Sequence, residues 1–280
     1  MSVTCLTCQS KSIQSKKWQK FFVNECSDCS FCWIEFDFQD DDSVSGSDSS
    51  ITTESFYTQA LAEHSLREQR FKKIVRNRIS AYSNFLNKPV ESVLEVGCGS
   101  GACKKGFQEN NVDWYGTELN NQMYDFCLKF DIDVYLGDFI NFDFDRSYDV
   151  IYASQVLEHI NNPNEFIEKC KKVLNPGGII HVDVPHHESF VSKIRKFSRS
   201  PTDYGAIRPF EHMRAYSKKS LSALFSAHNL EVIMTADFAN DDKTFGQLVI
   251  NIPLAKKIIF FISKLLRKQS LLVGIARLHN

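Results

Sequence analysis

Three glycines at alternate positions follow a short apolar run in the middle of the chain. The run covers residues 93–96 and includes Glu95, and the next five residues read Gly97-Cys98-Gly99-Ser100-Gly101. Glycine adopts backbone angles that other residues avoid, and it lets a ligand approach the main chain closely. A buried strand, a glycine turn and a following helix predict a nucleotide-type binding site at the carboxyl end of a parallel sheet. The turn alone leaves an ordinary tight turn as the alternative.

Two later segments strengthen this interpretation. Glu118 lies 21 residues after Gly97, beyond a short apolar segment that predicts a second strand. A carboxylate at this spacing typically holds a ribose diol through two charge-assisted hydrogen bonds. Residues 134–139 predict a third strand, which ends in Asp138 and Phe139. Asp138 could accept a hydrogen bond from an adenine amino group while Phe139 packs on the ring.

Four cysteines near the start of the chain have the spacing of a metal site. Cys5 and Cys8 form one Cys-x-x-Cys pair, Cys26 and Cys29 form another, and 17 residues separate the pairs. This pattern predicts a structural zinc ribbon, in which four thiolates complete a tetrahedron and leave no open position. Two unrelated pairs of free thiols are the alternative. Cys32 is a spare thiol that we expect to be packed inside the module.

Composition limits the class of protein. The chain has 280 residues, of which 43% are hydrophobic, and a net charge of −1. It therefore has enough apolar material for one core with an appended module, and it lacks the basic surplus that neutralises nucleic-acid phosphates. The nine cysteines are an odd number, and the first residues are polar rather than signal-like. The sequence therefore favours a reducing, cytoplasmic compartment.

The order of the segments predicts an α/β protein with a Rossmann-like, doubly wound, mostly parallel seven-stranded sheet and an N-terminal zinc ribbon. Further strands are expected at 148–153, 179–184, 231–236 and 247–252, and apolar positions at helical spacing predict one or two helices over 56–86. The expected parts are a zinc-ribbon module at 1–36, an acidic serine-rich linker at 37–54, a main domain at 55–252 with a cofactor half at about 90–185 and a substrate segment at about 186–216, and a basic amphipathic helical segment at 253–280.

This arrangement resembles the class I S-adenosylmethionine-dependent methyltransferases. The matching features are the turn at 95–101, Glu118, the Gly137-Asp138 pair, Asp149, Leu157-Glu158-His159 and the turn at 175–178. The resemblance implies that the cofactor is held by Glu95, Gly97, Cys98, Gly99, Gly101, Glu118, Leu119, Asp138, Phe139 and Gln155. A dehydrogenase would need a third glycine in the pattern Gly-x-Gly-x-x-Gly, and Ala102 and Cys103 follow Gly101 instead.

Several side chains could assist methyl transfer to a hydroxyl group, because an alcohol acceptor must lose its proton to a base. His159 is the first candidate, since it follows the fourth strand. Other candidates are His186, His187, Glu211 and His212 in the expected acceptor segment. Quinone O-methyltransferases are similar at Glu158-His159, but they have an acidic residue where this chain has Gln155. For that reason no catalytic metal is predicted.

The N-terminal ribbon and the segment after His212 resemble a subset of small-molecule methyltransferases that includes enzymes of nucleotide-linked sugars. This resemblance implies a small sugar or nucleotide-sugar acceptor in surface-polysaccharide biosynthesis and no nucleic-acid partner. A lipophilic quinone-type acceptor and a non-catalytic scaffold are the alternatives. The basic amphipathic end leaves open a homodimer or peripheral membrane contact. The acceptor, the methylated atom, the base and the oligomeric state stay open.

Overall fold

We describe the protein from a computed structural model, which covers residues 4–36, 53–197, 203–209, 211–238 and 271–279. The chain forms two compact units. The first unit takes its described residues from Met1–Phe38, Ser154–Ile167 and Val182–Ala276, and the second from Gln39–Ala153, Glu168–His181 and Arg277–Asn280.

The first unit contains a four-stranded antiparallel sheet that combines two distant parts of the chain. Its strands are β1 (Ile13–Trp18), β2 (Phe21–Cys26), β3 (Cys32–Phe36) and β9 (Arg214–Ala215), in the order β1-β2-β3-β9. In the last pair, Cys32 lies opposite Ala215 and Trp33 opposite Arg214. An apolar cluster joins the same two parts of the chain, formed by Phe21, Val23, Cys32, Ile34, Ala206, Ile207 and Ala215. The N-terminal module and the expected acceptor segment are therefore one packed structure.

The other elements of this unit include two helices and an edge strand. Helix α5 covers Phe190–Phe197, helix α6 covers Lys218–Ala227, and strand β10 covers Glu231–Phe238. Ser217 and Ser220 cap α6 reciprocally, since each side chain hydrogen-bonds the other residue's backbone N–H. Ser217 also donates its hydroxyl to the backbone carbonyl of Cys29. This bond ties the start of α6 to the second cysteine pair.

The second unit contains most of the alternating strands and helices. Its elements are α1 (Thr53–Leu86), β4 (Ser92–Val96), α2 (Lys104–Gln108), β5 (Asp113–Glu118), α3 (Asn121–Lys129), β6 (Tyr135–Leu136) and β7 (Tyr148–Ser154), with parts of α4 (Pro163–Val173) and β8 (Leu174–Pro185). Residues 148–153 of β7 are all buried, as expected for a central parallel strand covered on both faces.

Seven strands form the main sheet in the order β10-β11-β8-β7-β4-β5-β6, where β11 is Leu271–Arg277. The pairs β4–β5, β4–β7 and β5–β6 are parallel. The predicted Rossmann-like, mostly parallel seven-stranded sheet is therefore confirmed. The carboxyl ends of parallel neighbours lie at one edge of a sheet, so the glycine turn after β4 and Glu118 at the end of β5 come together.

Three details differ from the sequence prediction. The third strand is shorter than predicted, with only Tyr135–Leu136 in β6. The predicted turn at 175–178 belongs to β8, where Gly177 has a φ of 70°. Residues 271–277, which the sequence assigned to a helical segment, form strand β11 instead, and four of its seven residues are buried. The linker at 37–52, the strand at 247–252 and the helix at 253–270 lie outside the described residues.

Of the described helices, none combines the length and the apolar character needed to cross a lipid bilayer.

Candidate functional site

The glycine turn after β4 is tightly constrained in backbone and in space. Gly97, Gly99 and Gly101 have φ angles of 64°, 56° and 66°, a region that favours glycine. A methyl group on Gly101 would come within 2.6 Å of Ile132 Cγ2, whereas one on Gly99 would meet no atom within 4 Å. The absence of a side chain at Gly101 therefore also allows Ile132 to pack against the turn. The space beside Gly99 is open, and a ligand could occupy it.

This difference gives a testable expectation about stability. Gly99→Ala adds only backbone strain, which we expect to cost about 1 kcal/mol of unfolding free energy. Gly101→Ala adds the same strain and the clash with Ile132, so we expect a loss of about 2–4 kcal/mol. Urea denaturation of the ligand-free protein measures both. Equal losses in the two variants would contradict the packing role of Gly101.

Glu118 holds the turn together through its carboxylate. Oε2 accepts a hydrogen bond from the Gly99 backbone N–H at 2.7 Å, and Oε1 accepts from the N–H groups of Leu119 and Asn120 at 2.9 and 2.8 Å. These bonds orient the carboxylate and tie the ends of β4 and β5 to each other. A carboxylate has about four lone-pair positions, so acceptor capacity remains for a ribose hydroxyl.

The other predicted cofactor residues of this unit have varied surroundings. The Glu95 carboxylate accepts a 2.7 Å hydrogen bond from Trp114 Nε1, and burial raises the pKa of Glu95 to about 7. Cys98 is buried, and its N–H donates to the Thr117 carbonyl at 2.9 Å. Leu119 is 68% exposed and directly follows the Glu118 carboxylate. An exposed apolar surface at this place suits an aromatic ring of a ligand.

The residues predicted to flank adenine lie after β6. Asp138 accepts hydrogen bonds from the Ile140 N–H at 3.1 Å and from Asn141 Nδ2 at 2.7 Å. Phe139 is buried, and its ring centroid lies 5.7 Å from that of Phe144. Asp138 thus organises its own turn, and its contact with adenine stays a prediction.

The four cysteines of the N-terminal module form one cluster in the first unit. The sulfurs of Cys5 and Cys29 are 3.5 Å apart, those of Cys8 and Cys26 are 3.6 Å apart, and all four lie within 4.8 Å of one another. Four sulfurs at about 2.3 Å from a zinc ion form a tetrahedron with edges of about 3.8 Å. The hydroxyl of Thr7 lies 3.2 and 3.3 Å from two of these sulfurs and helps to orient them. The cluster is compatible with zinc.

Of the five predicted catalytic side chains, two lie together beside a buried carboxyl group. His159 and His212 each place Nε2 4.0 Å from Oε1 of Glu158, and their ring centroids are 5.2 Å apart. Glu158 is 0% exposed, and neither of its carboxyl oxygens has a hydrogen-bond partner among the described residues. We call these three residues the Glu158 cluster.

The other three candidates lie elsewhere. His186 is buried with Nδ1 3.2 Å from Asp237 Oδ1. His187 is buried with Nε2 3.3 Å from Glu25 Oε1. Glu211 is 58% exposed at its side chain and forms a 2.7 Å ion pair with Arg208. Gln155, the predicted cofactor residue of this unit, has a φ of 58° and donates through Nε2 to the Asp183 carbonyl at 3.1 Å.

Burial determines the protonation of the Glu158 cluster. It raises the pKa of Glu158 to about 8 and, aided by His159 and Arg208, lowers the pKa of His212 to about 4. Burial also lowers the pKa of His159 below its ordinary value. Near pH 7 the cluster therefore contains a protonated carboxyl and two neutral imidazoles. The same three side chains have ligand atoms within 4.8 Å of one another and could alternatively hold a cation.

The raised pKa of Glu158 predicts how stability depends on pH. The folded protein keeps this proton up to about pH 8, whereas the unfolded chain loses it near 4.5. Unfolding thus releases a proton between these values, and stability falls as pH rises through that window. Glu158→Gln removes this loss. The free energy of unfolding of the variant should therefore rise relative to that of the wild type by up to about 1.4 kcal/mol for each pH unit in this window.

Urea denaturation at pH 5, 6.5 and 8 measures this dependence. The matched control is Glu211→Gln, because the Glu211 side chain is 58% exposed and salt-bridged at the surface. A constant difference between the wild type and Glu158→Gln across the three pH values would contradict a buried titrating carboxyl.

The chain is similar to known proteins. A family model described as "Methyltransferase domain" matches residues 66–235, which include the glycine turn, Glu118 and the Glu158 cluster. The chain belongs to this methyltransferase family. The matched residues do not include the cysteine pairs, and the description of the family names no sugar acceptor.

Curated relatives of this methyltransferase are distant. A mitochondrial ubiquinone biosynthesis O-methyltransferase of Dictyostelium discoideum is 22% identical over 188 residues, which are 57% of this chain and 58% of the relative. A malonyl-[acyl-carrier protein] O-methyltransferase of Haemophilus influenzae is 26% identical over 153 residues, which are 53% and 57% of the two chains. The chain thus spans less than two thirds of the length of these relatives.

Solved structures share the fold. A putative methyltransferase in complex with the Haloferax volcanii Trm112 methyltransferase activator gives a TM-score of 0.58 at 16% identity, covering 81% of this chain and 96% of the other. The plantazolicin methyltransferase BamL, in complex with a triazolic desmethylPZN analog and SAH, gives 0.54 at 15% identity, covering 82% and 95%. These similarities show that the chain shares its fold with these two methyltransferases.

One residue near the glycine turn of the methyltransferase was missed from sequence. His64 on α1 places Nδ1 3.3 Å from the Ser100 hydroxyl, and its ring lies 5.7 Å from that of Phe126. No motif marks His64, because a polar residue on a long helix has the same pattern as a surface position.

Proposed function

We propose that the protein transfers a methyl group from S-adenosylmethionine to a hydroxyl group of a small polar acceptor of the sugar or nucleotide-sugar class. The observation that carries the proposal is the Glu158 cluster, in which two neutral imidazoles lie beside a buried carboxyl. Neutral imidazoles can accept the proton that a hydroxyl must lose.

The cofactor residues of this proposal lie at the turn after β4. Glu118, preorganised by the three backbone N–H groups, would bind the ribose, and the exposed Leu119 would contact adenine. S-adenosylmethionine supplies an electrophilic methyl group on a sulfonium with a good leaving group. The remaining task of the protein is to align the acceptor and to take its proton.

His159 is the proposed base. Its side chain is 45% exposed, whereas that of His212 is 23% exposed and has the pKa of about 4. Burial lowers the pKa of His159, so its imidazole is neutral near pH 7 and one ring nitrogen carries a lone pair that can accept a proton. His159 would take the proton of the acceptor hydroxyl, and bound S-adenosylmethionine would supply the methyl group that replaces that proton.

Glu158 and His212 are proposed to position and stabilise the base. An imidazolium formed at His159 would lie 4.0 Å from Glu158 Oε1. Glu158 keeps its proton near pH 7, so it would stabilise that charge increasingly as the pH rises towards 8 and the buried carboxyl ionises. The segment 155–159 directly follows β7, which is the parallel neighbour of β4.

We also propose a structural zinc ion in the four-cysteine cluster. The sulfur separations support a tetrahedral site, and a module of about 30 residues gains folding energy from a metal. Four thiolates leave no position for a substrate, so this zinc would take no part in methyl transfer.

A second candidate is a lipophilic quinone-type acceptor. The observation that favours it is the similarity to ubiquinone biosynthesis O-methyltransferases. Vesicle flotation tests it: a lipophilic acceptor predicts that the full chain floats with anionic vesicles, and that a Lys257→Gln, Lys264→Gln, Lys268→Gln variant stays in solution. A chain that does not float with vesicles favours the polar acceptor.

The central experiment incubates the protein with methyl-labelled cofactor and two acceptor sets, nucleotide-linked sugars and prenylated catechols. We expect S-adenosylhomocysteine and a product heavier by one methyl group only with the sugar set. Turnover with catechols alone would replace the proposal with the second candidate. A folded, zinc-loaded protein that fails to bind the cofactor at all would favour a non-catalytic scaffold.

A further inference from the structure

A second group of potential metal ligands lies in the first unit, apart from the four cysteines and from the Glu158 cluster. It consists of Glu25, Cys32 and His187, whose ligand atoms all lie within 4.8 Å of one another. Cys32 is 0% exposed and His187 is 1% exposed, while the Glu25 side chain is 32% exposed. A carboxylate, a thiol and an imidazole therefore converge, and of the three only the carboxylate is partly exposed.

The strand register explains why the first two residues meet. Glu25 on β2 lies directly opposite Cys32 on β3 in the antiparallel pair. Side chains at opposite positions share one face of the sheet, with Cβ atoms about 4.5–5.5 Å apart. Cys26, the next residue on β2, faces the other side because successive side chains alternate. The group is therefore separate from the four-cysteine cluster, although it is adjacent along the chain.

His187 joins the group from the loop after β8. Its backbone N–H donates to the Tyr216 carbonyl at 2.8 Å, which fixes the loop. Nε2 lies 3.3 Å from Glu25 Oε1, yet neither ring nitrogen makes an aligned hydrogen bond with a described residue. A buried imidazole without such bonds is costly unless another group satisfies it. A metal ion would do so by taking a nitrogen lone pair.

The charges of the neighbouring side chains are compatible with a bound divalent cation. Lys196 on α5 places Nζ 2.9 Å from Glu25 Oε2 and 3.1 Å from Oε1, so it already balances the carboxylate. A cation that binds Oε1 would replace the 3.1 Å contact of Lys196 with that oxygen and would leave the 2.9 Å contact with Oε2 in place. Cys32 would enter as a thiolate, and its proton would leave to solvent. The carboxylate and the thiolate would then match the two charges of the ion, and Lys196 would leave the group with one positive charge in total.

We infer that Glu25, Cys32 and His187 bind a second zinc ion. Zinc accepts sulfur, nitrogen and oxygen ligands in one tetrahedral site, whereas magnesium and calcium prefer oxygen alone. Three protein ligands leave a fourth position of the tetrahedron, which water would fill. The ion would join the β2–β3 hairpin to the loop after β8, so it fastens the N-terminal module independently of which acceptor is methylated.

Metal counting on the full chain tests this inference. The protein is saturated with zinc, separated from free metal by gel filtration, and analysed by plasma mass spectrometry together with its concentration. We expect two zinc ions per chain in the wild type and one in Cys32→Ser and in His187→Asn. The matched control is Cys170→Ser, a buried free cysteine outside both clusters, which should keep two.

Cobalt substitution gives a second measurement that does not depend on the variants folding. The second cobalt to bind should add thiolate-to-metal charge-transfer absorption from a single sulfur, and its binding should release a proton and weaken at lower pH. One zinc per chain in the wild type would overturn the inference. So would two zinc ions in all variants, or a second cobalt without charge-transfer absorption.

Discussion

Glu118→Ala is expected to weaken S-adenosylmethionine binding by about 1.5–3 kcal/mol, a 10- to 150-fold rise in Kd. The variant loses the proposed bonds to the ribose and also the acceptor of the Gly99, Leu119 and Asn120 N–H groups. The second loss frees the turn, so binding must then order it again. Both effects weaken binding. The range of 1.5–3 kcal/mol counts only the bonds to the ribose, so it is a lower bound on the total loss.

Calorimetric titration of S-adenosylmethionine and S-adenosylhomocysteine measures this effect. The matched control is Glu109→Ala, which removes an exposed carboxylate that pairs with Lys72 at 2.8 Å. Its Kd should equal that of the wild type. Glu118→Gln separates the two losses, because its single carbonyl oxygen keeps some of the backbone bonds. An unchanged Kd in Glu118→Ala, with a folded protein, would remove Glu118 from the cofactor site.

His159→Asn is expected to lower kcat by about 100- to 10,000-fold, the usual contribution of a positioned general base. The Kd for S-adenosylmethionine should not change, since His159 has no proposed role in cofactor binding. His212→Asn and Glu158→Gln should lower kcat less, because they act through His159. Glu158→Gln should also alter the pH profile, since it removes a carboxyl with a pKa of about 8.

Steady-state kinetics with the acceptor identified in the labelled assay, over pH 5.5–9, measures these effects. His228→Gln is the control, because His228 bonds to Asn164 at 2.9 Å in the same unit and belongs to no proposed site. Full activity in His159→Asn would remove the base from the proposal. Activity that a chelator abolishes and magnesium restores would assign the Glu158 cluster to a cation instead.

The cofactor half of the fold could be predicted because its signals are local. A glycine turn, an acidic residue 21 positions later and a buried apolar run each depend on residues close in sequence. The cysteine pairs were equally clear, since two tight turns that each carry two thiols are typical of a tetrahedral metal site. The structure places the four sulfurs together, as that spacing predicts.

The sequence ranked His159 first among the candidate bases, but it could not give the surroundings of the other four, because these depend on distant partners. His186 and His187 are adjacent, yet one lies beside Asp237 and the other beside Glu25. Glu158 became a candidate only when its burial without hydrogen-bond partners was seen. Strand β11 was missed because basic residues before it extended a helical pattern into an apolar segment that the sheet buries.

The pairing of β3 with β9 has a consequence for dissecting this protein. A shortened chain that begins after residue 36 would leave β9 as an unpaired edge and would expose the apolar surface of Ala206, Ile207 and Ala215. Such an edge is a template for pairing with other chains. The shortened chain should therefore aggregate rather than behave as a free-standing catalytic domain. In the full chain the N-terminal module prevents this, because it pairs with β9 and covers these apolar side chains.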